Sequence, residues 1–354
     1  MIPEESRFEP DPEELVEARE ALPPGWVVGT PDPDDLADLR RLTQLLRDHE
    51  REGRGWPAAG KDDVRVELQG LRTRQNVVVR DEAGLVRAWG SVHDRATGRM
   101  LLLHVVERGL PDEVGRACSD LLVEWAVGQA REVGAARGLE VQQIDTGAFA
   151  DDERQRRWLA ASGFTRVRTW WQMTRPVTPD EAGLVPDPAR WERDGVVVRL
   201  VECEDDAGKP VEADLRAVHD VLEAAFTDHF NSKPETFDEF LYRLREDPGH
   251  RWDHWWLAEV DGVPAGALVG TQSGSGTGAA SYVAYIGVVE LARGRGVAKG
   301  LLRTVIADAA SRGRDRVGLE VDADSPTGAD RLYRGMGWET SYVTESWHRD
   351  VRLG

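Results

Sequence analysis

Two halves with the same order of predicted elements set the strongest limit on how this chain can fold. A stretch rich in proline and acidic residues, Arg175 to Gly195, separates them. The segment Trp158–Phe164 (WLAASGF) in the first half resembles Leu332–Trp338 (LYRGMGW) in the second, each being a helix end, a glycine and an aromatic residue. The 354 residues also exceed what one ordinary core accommodates. We therefore predict an α/β fold with mixed sheets, built as two tandem copies of one domain.

The same patterns predict the domain boundaries. The second half reads as β-α-α-β-β-β-α-β-α-β, with a hairpin turn at Asp261-Gly262 and a helix whose apolar face includes Leu301 and Val305. The first half repeats this order in degenerate form. We expect an acidic N-terminal extension (1–24), a first domain (25–175), a linker (176–194) and a second domain (195–354).

Composition limits the partners. A formal net charge of −19 argues against a nucleic-acid binder, because phosphate contacts need a basic face. No apolar run is long enough to span a bilayer and the N-terminus lacks an export layout, so we expect no membrane partner and a cytoplasmic location. Two distant cysteines, Cys118 and Cys203, fit a reducing compartment. No motif has metal-ligand spacing, so no metal is expected.

A glycine-rich turn carries the clearest chemical signal. The apolar run Tyr282–Val289 is followed by RGRGVAKG (Arg293–Gly300), which leads directly into a helix. Glycines let the backbone approach a ligand closely, and the first amides of a helix have no partner within it. The helix dipole favours an anion at this end. The turn therefore predicts an anion site, and a pyrophosphate would suit it.

The turn and a second element downstream together resemble a known family. The strand end and turn VVELARGRGVA (Val288–Ala298), paired with Asp324–Trp338, resemble the coenzyme A signature of the GNAT N-acetyltransferase superfamily. Members carry (Q/R)-x-x-G-x-(G/A) after a strand, then a helix start, Leu-Tyr and Gly-aromatic. The resemblance covers Gly195 to Val351, and the layout of the whole chain is similar to that of actinobacterial two-domain acetyltransferases. It implies direct transfer of an acetyl group from acetyl-CoA to a primary amine of a small molecule, in a monomer or homodimer.

The resemblance also implies roles for individual residues. Backbone groups of the strand would pair with the pantetheine arm, and the turn would hold the pyrophosphate. Tyr333 would be the general acid for the departing thiolate, since a phenol with a pKa of about 10 is near enough to a thiol to share its proton. Ser325 stands where many members have Asn. The implied coenzyme contacts are Ile286, Gly287, Val288, Val289, Arg293, Gly294, Arg295, Gly296, Val297, Ala298, Lys299, Ser325 and Tyr333.

The general base has less specific support. By strand alternation, Glu320 and Asp322 lie on the face opposite Leu319, which makes Glu320 the best side-chain candidate, with a solvated strand acid as the alternative. Tyr282 stands where some relatives place a glutamate, and Tyr282 and Asp322 are candidate residues of the acceptor site. His229 is a candidate for the acceptor site, with a helix cap or a surface group as the alternative.

The first domain lacks this signature. Its turn reads ERGLPDEVGRA, and Leu159 occupies the position that corresponds to Tyr333. We predict a catalytically silent domain that completes the acceptor pocket, extends the sheet or retains weak coenzyme binding. Two other functions stay open for the chain: a coenzyme-A-binding regulatory or scaffold protein without turnover, and an acetyltransferase acting on a protein N-terminus or lysine.

Overall fold

The computed structural model describes residues 16–69, 74–95, 98–183, 195–204, 210–227, 235–273, 279–324 and 328–353. The chain forms two compact units. The N-terminal unit comprises Met1–Trp170 and Tyr342–Gly354, and the C-terminal unit comprises Trp171–Ser341. The division therefore falls at residue 170 and not in the proline-rich stretch, of which residues 184–194 lie outside the described ranges. The end of the chain belongs to the N-terminal unit, whereas the sequence pattern assigned it to the second domain.

The N-terminal unit is a sheet with helices on both faces. Its strands are β1 (Val27–Gly29), β2 (Arg74–Arg80), β3 (Val86–Asp94), β4 (Arg99–Val106), β5 (Val141–Phe149) and, from Tyr342 on, β12 (Glu339–Arg352). Its helices are α1 (Val16–Glu20), α2 (Leu36–Arg54), α3 (Lys61–Gln69), α4 (Asp112–Ala136) and α5 (Glu153–Ala161). The strand order is β1-β2-β3-β4-β5-β12, with β4 and β5 parallel. Antiparallel pairing of β12 with β5, from Thr344↔Phe149 to Arg352↔Val141, explains why the chain's end lies here.

Both faces of this sheet are covered by apolar side chains. Leu121, Leu122 and Trp125 of α4 pack on one face, where Trp347 of β12 joins the same cluster. Leu42 of α2 packs on the other face, in a separate cluster. Burial on both faces accounts for the continuous apolar runs that mark these strands in the sequence.

The C-terminal unit has a second sheet. Its strands are β6 (Thr165–Pro176, from Trp171 on), β7 (Val196–Leu200), β8 (His250–Val260), β9 (Val263–Ser273), β10 (Ala280–Val288) and β11 (Arg316–Asp322). Its helices are α6 (Glu212–Phe226), α7 (Phe237–Arg245), α8 (Val297–Ser311) and α9 (Ala329–Gly335), with 3-10 turns at Pro179–Gly183 and Glu290–Ala292. The strand order is β6-β11-β10-β9-β8-β7, with β10 and β11 parallel.

Two local predictions for this unit are confirmed. The β8–β9 hairpin turns at Asp261 and Gly262, both with positive φ (53° and 79°), between the paired Val260 and Val263. The predicted face of α8 is buried in one core cluster, while α6 and α7 cover the opposite face of the sheet. The buried residues of the predicted face are Leu301, Leu302, Val305, Ile306 and Ala309.

The two units repeat one arrangement. Each contains a parallel strand pair connected by a helix (β4-α4-β5 and β10-α8-β11) and followed by a short helix (α5 and α9). Both short helices end alike: Gly163 and Gly337 have φ of 81° and 91°. The amide of the next residue donates back to Leu159 in one unit and to Tyr333 in the other, at 3.0 and 3.1 Å. The tandem fold predicted from the sequence is confirmed. Among the helices of the described ranges, none has the length and apolar character needed to cross a membrane.

Candidate active site

The bend between β10 and α8 is open to solvent. Residues 293–296 are exposed, and Gly294 and Gly296 have φ of 81° and 85°. A side chain at either glycine would meet no neighbouring atom, so the backbone conformation and not lack of space favours glycine there. The chain thus makes a left-handed turn directly before the first helical residue, Val297.

Several amides of this bend have no acceptor. The amides of Arg293 and Arg295 donate to Glu290 and Ala292 carbonyls (3.1 and 3.4 Å), so these two expected donors are engaged within the turn. In the part of the chain that the structure describes, no side chain caps α8. Among the described residues, no acceptor is found for the amides of Gly294, Gly296, Val297, Ala298 and Lys299. Together with the helix dipole they form an anion-binding end.

The cations around the bend differ in their pairing. Arg295 donates to Asp261 Oδ2 at 2.9 Å, in a pair that is exposed on both sides. Within the described ranges, Arg293 and Lys299 have no ion-pair partner. Two positive charges are therefore available to an anion at the bend, and a third is held by a weak surface pair.

The strands β10 and β11 part before they reach the bend. Their parallel register runs only from Ser281↔Val317 to Val283↔Leu319, and the pairing of β10 with β9 shifts register between Val283 and Tyr285. The Val289 amide donates to Ala265 in β9 (3.0 Å). Because backbone groups alternate sides along a strand, those of Ile286 and Val288 point towards the gap beside β11.

Gly287 and Val289, by the same alternation, point their backbone groups towards β9. A Cβ on Gly287 would lie 2.8 Å from Ala225 of α6, so close packing of this helix explains the glycine. Of the four strand residues expected to pair with a pantetheine arm, Ile286 and Val288 are therefore the two whose backbone groups face the gap beside β11.

Tyr333 lies in the buried core on the α8 side of the sheet. It is 7% exposed and its ring packs against Trp338, with the ring centroids 6.1 Å apart. Burial raises the pKa of the Tyr333 hydroxyl to about 12, so the phenol is neutral at physiological pH. That hydroxyl makes no hydrogen bond with any residue in the described ranges. Within the described ranges it is thus a proton donor without an acceptor.

Glu320 lies on the opposite face of β11, as alternation predicts. Its side chain is exposed, yet partial desolvation by the surrounding protein raises the pKa of its carboxyl group. A hydrogen bond from Gln172 Nε2 to Glu320 Oε2 opposes this rise, and the charge of buried Asp322 adds to it. The structure brings Tyr282 to the same face, since its ring lies over Gly318, its register partner.

Gln172 was missed by the sequence analysis. It is 8% exposed and comes from β6, which neighbours β11 although the two are far apart in the chain. No local signal marks it, because only strand order across the sheet brings the two residues together. Two predicted site residues, His229 and Ser325, lie outside the described residues.

The comparisons with known proteins concern the family and the fold. Residues 215–338 match the Acetyltransferase (GNAT) family. The mycothiol acetyltransferase of Thermobispora bispora is 32% identical over 206 residues, which cover 55% of this chain and 64% of that protein. The mycothiol acetyltransferase of Frankia casuarinae is 30% identical over 251 residues, covering 67% and 65% respectively. The matches thus span less than two thirds of the length of these relatives.

Solved structures match nearly the whole chain. A GCN5-related N-acetyltransferase from Sphaerobacter thermophilus has a TM-score of 0.69 at 24% identity, covering 94% of this chain and 98% of its own. A tandem GNAT protein from the clavulanic acid biosynthesis pathway has a TM-score of 0.66 at 15% identity, covering 92% and 98%. At these identities the likeness concerns the fold. The fold, with its parted strands before a glycine bend, is a tandem GNAT fold. The matched segment, residues 215–338, belongs to the GNAT family, and in sequence the chain is similar to mycothiol acetyltransferases.

Proposed function

We propose that the C-terminal unit transfers an acetyl group from acetyl-CoA to a primary amine of a small molecule. The observation that carries this proposal is the exposed bend at 293–296 together with the first helical residues 297–299, where five amides lack an acceptor among the described residues. The diphosphate of acetyl-CoA would accept from these amides and pair with Arg293 and Lys299. The backbone groups of Ile286 and Val288 would hold the pantetheine arm as a short added strand.

The two candidate catalytic groups lie on opposite faces of the sheet, which supports direct attack. Acetyl-CoA supplies an activated carbonyl, and the gap between β10 and β11 gives that carbonyl a position reachable from both faces. On one face Glu320 would take the proton of the incoming ammonium, directly or through water. On the other face the neutral phenol of Tyr333 would protonate the departing thiolate.

The N-terminal unit would not carry out this reaction. Leu159 stands in its short helix where α9 has Tyr333, and it is completely buried in the core. A leucine side chain cannot donate a proton, so this position supplies no equivalent acid. We therefore propose that the N-terminal unit is catalytically silent and that the C-terminal unit is active.

The relatives suggest one class of acceptor. Proteins with the name mycothiol acetyltransferase match this chain in sequence, which favours a small-molecule amine over a protein N-terminus or lysine. Mycothiol synthesis, suggested also by the tandem layout, is therefore one specific reaction to test. The alternative, a protein that binds coenzyme A without turnover, does not explain why a tyrosine is present at position 333.

Release of free coenzyme thiol, measured with a panel of small amines and peptides, tests the proposal. We expect acetyl-CoA to bind and thiol to be released with at least one small amine. Calorimetric binding of acetyl-CoA without release across the whole panel would favour the protein without turnover. Faster release with peptides than with every small amine would assign a protein acceptor instead.

A further inference from the structure

The N-terminal unit contains a cavity that the proposed transfer does not use. Its volume is about 350 Å³, within the range of small-molecule pockets. It lies where β4 ends and α5 begins. The lining residues come from α2, β4, the following turn and the start of α5, and those used below are His49, Glu52, His104, Arg108, Gln155 and Trp158.

Coenzyme A does not fit the helix start beside this cavity. Arg154 donates to the Arg108 and Leu110 carbonyls (2.6 and 3.0 Å) and lies 3.2 Å from Asp112 Oδ1. A Cβ on Gly115, in the first turn of α4, would lie 2.5 Å from its guanidinium. In this unit a side chain therefore fills the place that corresponds to the open bend before α8. A diphosphate would have to displace Arg154, which counts against retained coenzyme binding.

The two arginines that line the cavity, Arg108 and Arg154, are already paired with carboxylates. Arg108 Nε lies 3.2 Å from Asp152 Oδ2 and 3.9 Å from Glu52 Oε2. His104 is 3% exposed, and burial lowers its pKa to about 4, so the ring is neutral at physiological pH. Burial likewise lowers the pKa of His49 to about 3. Among the described residues, no group of three or more His, Cys, Asp or Glu side chains is placed to hold a metal. These contacts favour a neutral ligand.

Four residues that line the cavity carry buried hydrogen-bonding atoms without a partner among the described residues. Within the described residues no partner is found for His49 Nδ1, Arg108 Nη2, Gln155 Oε1 or Trp158 Nε1. Gln155 and Trp158 are only 3% and 6% exposed, so these atoms have lost water without gaining a protein partner. A ligand that bonds them recovers that desolvation energy. The set includes both donors and acceptors, and a hydroxyl is the group that serves both.

We propose that the cavity of the N-terminal unit binds a small neutral polyhydroxylated molecule, about the size of one sugar ring. Hydroxyl groups accept from the Trp158 indole and the Arg108 guanidinium and donate to the Gln155 side-chain oxygen. The unit is then a ligand-binding module with a chemistry different from that of the C-terminal unit.

Saturation-transfer NMR on the full chain, with D-glucose at about 20 mM as the probe, tests this site. Trp158→Phe keeps the aromatic packing and removes the indole donor. Trp347→Phe is the matched control, because Trp347 is about as buried in the same unit, its Nε1 also has no partner among the described residues, and it does not line the cavity. We expect glucose to bind the wild type, Trp158→Phe to weaken binding by about tenfold, and Trp347→Phe to leave it unchanged.

Three results would overturn the proposal: no saturation transfer to glucose, equal loss in both variants, or coenzyme A binding that depends on Trp158. Thiol release from acetyl-CoA serves as a separate readout. We expect it to be unchanged in Trp158→Phe, so a failure of this site is distinguishable from a failure of the proposed transfer.

Discussion

Replacement of Tyr333 by phenylalanine tests the proposed acid with little disturbance of the fold. The change removes one hydroxyl, which has no hydrogen-bond partner among the described residues, and it leaves the ring in contact with Trp338 at 6.1 Å. The free energy of unfolding should therefore change by less than about 1 kcal/mol. Since burial holds the pKa of Tyr333 at about 12, the wild-type phenol is fully protonated at pH 7.

The catalytic effect of Tyr333→Phe should be much larger than its effect on stability. Without the phenol the thiolate must leave unprotonated or take a proton from water, and a positioned acid contributes about 10²- to 10⁴-fold to the rate. We expect kcat for thiol release to fall by about 10²-fold or more, with the Kd for acetyl-CoA changed by less than about threefold. Tyr342→Phe, in the N-terminal unit, is the matched control. A Tyr333→Phe variant with at least a third of the wild-type kcat would refute the assignment.

Three further predictions follow from the contacts of single residues. Gln172→Leu removes the hydrogen bond that lowers the pKa of Glu320. The acidic limb of the pH profile of kcat/KM should therefore move to higher pH, and an unchanged limb would exclude Glu320 as the base. Arg293→Ala should weaken coenzyme A binding more at low than at high salt, whereas Arg303→Ala, an exposed cation further along α8, should not; calorimetry at two salt concentrations distinguishes them. Burial holds the pKa of His104 in the folded protein near 4, below its usual 6.5. Between pH 6.5 and pH 4 the unfolded chain therefore binds more protons than the folded protein, and the free energy of unfolding decreases as the pH falls through this range. Urea unfolding at pH 7 and pH 4 should show a loss of about 3 kcal/mol from this residue, and His104→Gln should reduce that loss.

The sequence predicted the features that depend on neighbouring residues. The glycine bend, the Asp261-Gly262 turn and the buried face of α8 follow from spacing and from residues that adopt positive φ. The similarity between WLAASGF and LYRGMGW predicted a repeated fold, and the two segments do end their helices with the same backbone geometry. These signals are local, because each depends on residues that are close together in the sequence.

The features that were missed depend on contacts between distant segments. The pairing of β12 with β5 places the last strand in the N-terminal unit, and no local sequence pattern predicts that pairing. Gln172 reaches Glu320 only because β6 neighbours β11. Spacing also did not show that the Arg293 and Arg295 amides are bonded within the turn, since this depends on the 3-10 turn at Glu290–Ala292.

The most direct test of the account is the response of the glycine amides to coenzyme A. In a sample with 15N-labelled glycine, the amides of Gly294 and Gly296 can be compared with Gly109, in the corresponding turn of the N-terminal unit. Hydrogen bonds to a diphosphate should move the Gly294 and Gly296 proton resonances downfield as coenzyme A is added, and Gly109 should stay unchanged. Saturable binding of coenzyme A with no shift at Gly294 or Gly296 would contradict the account.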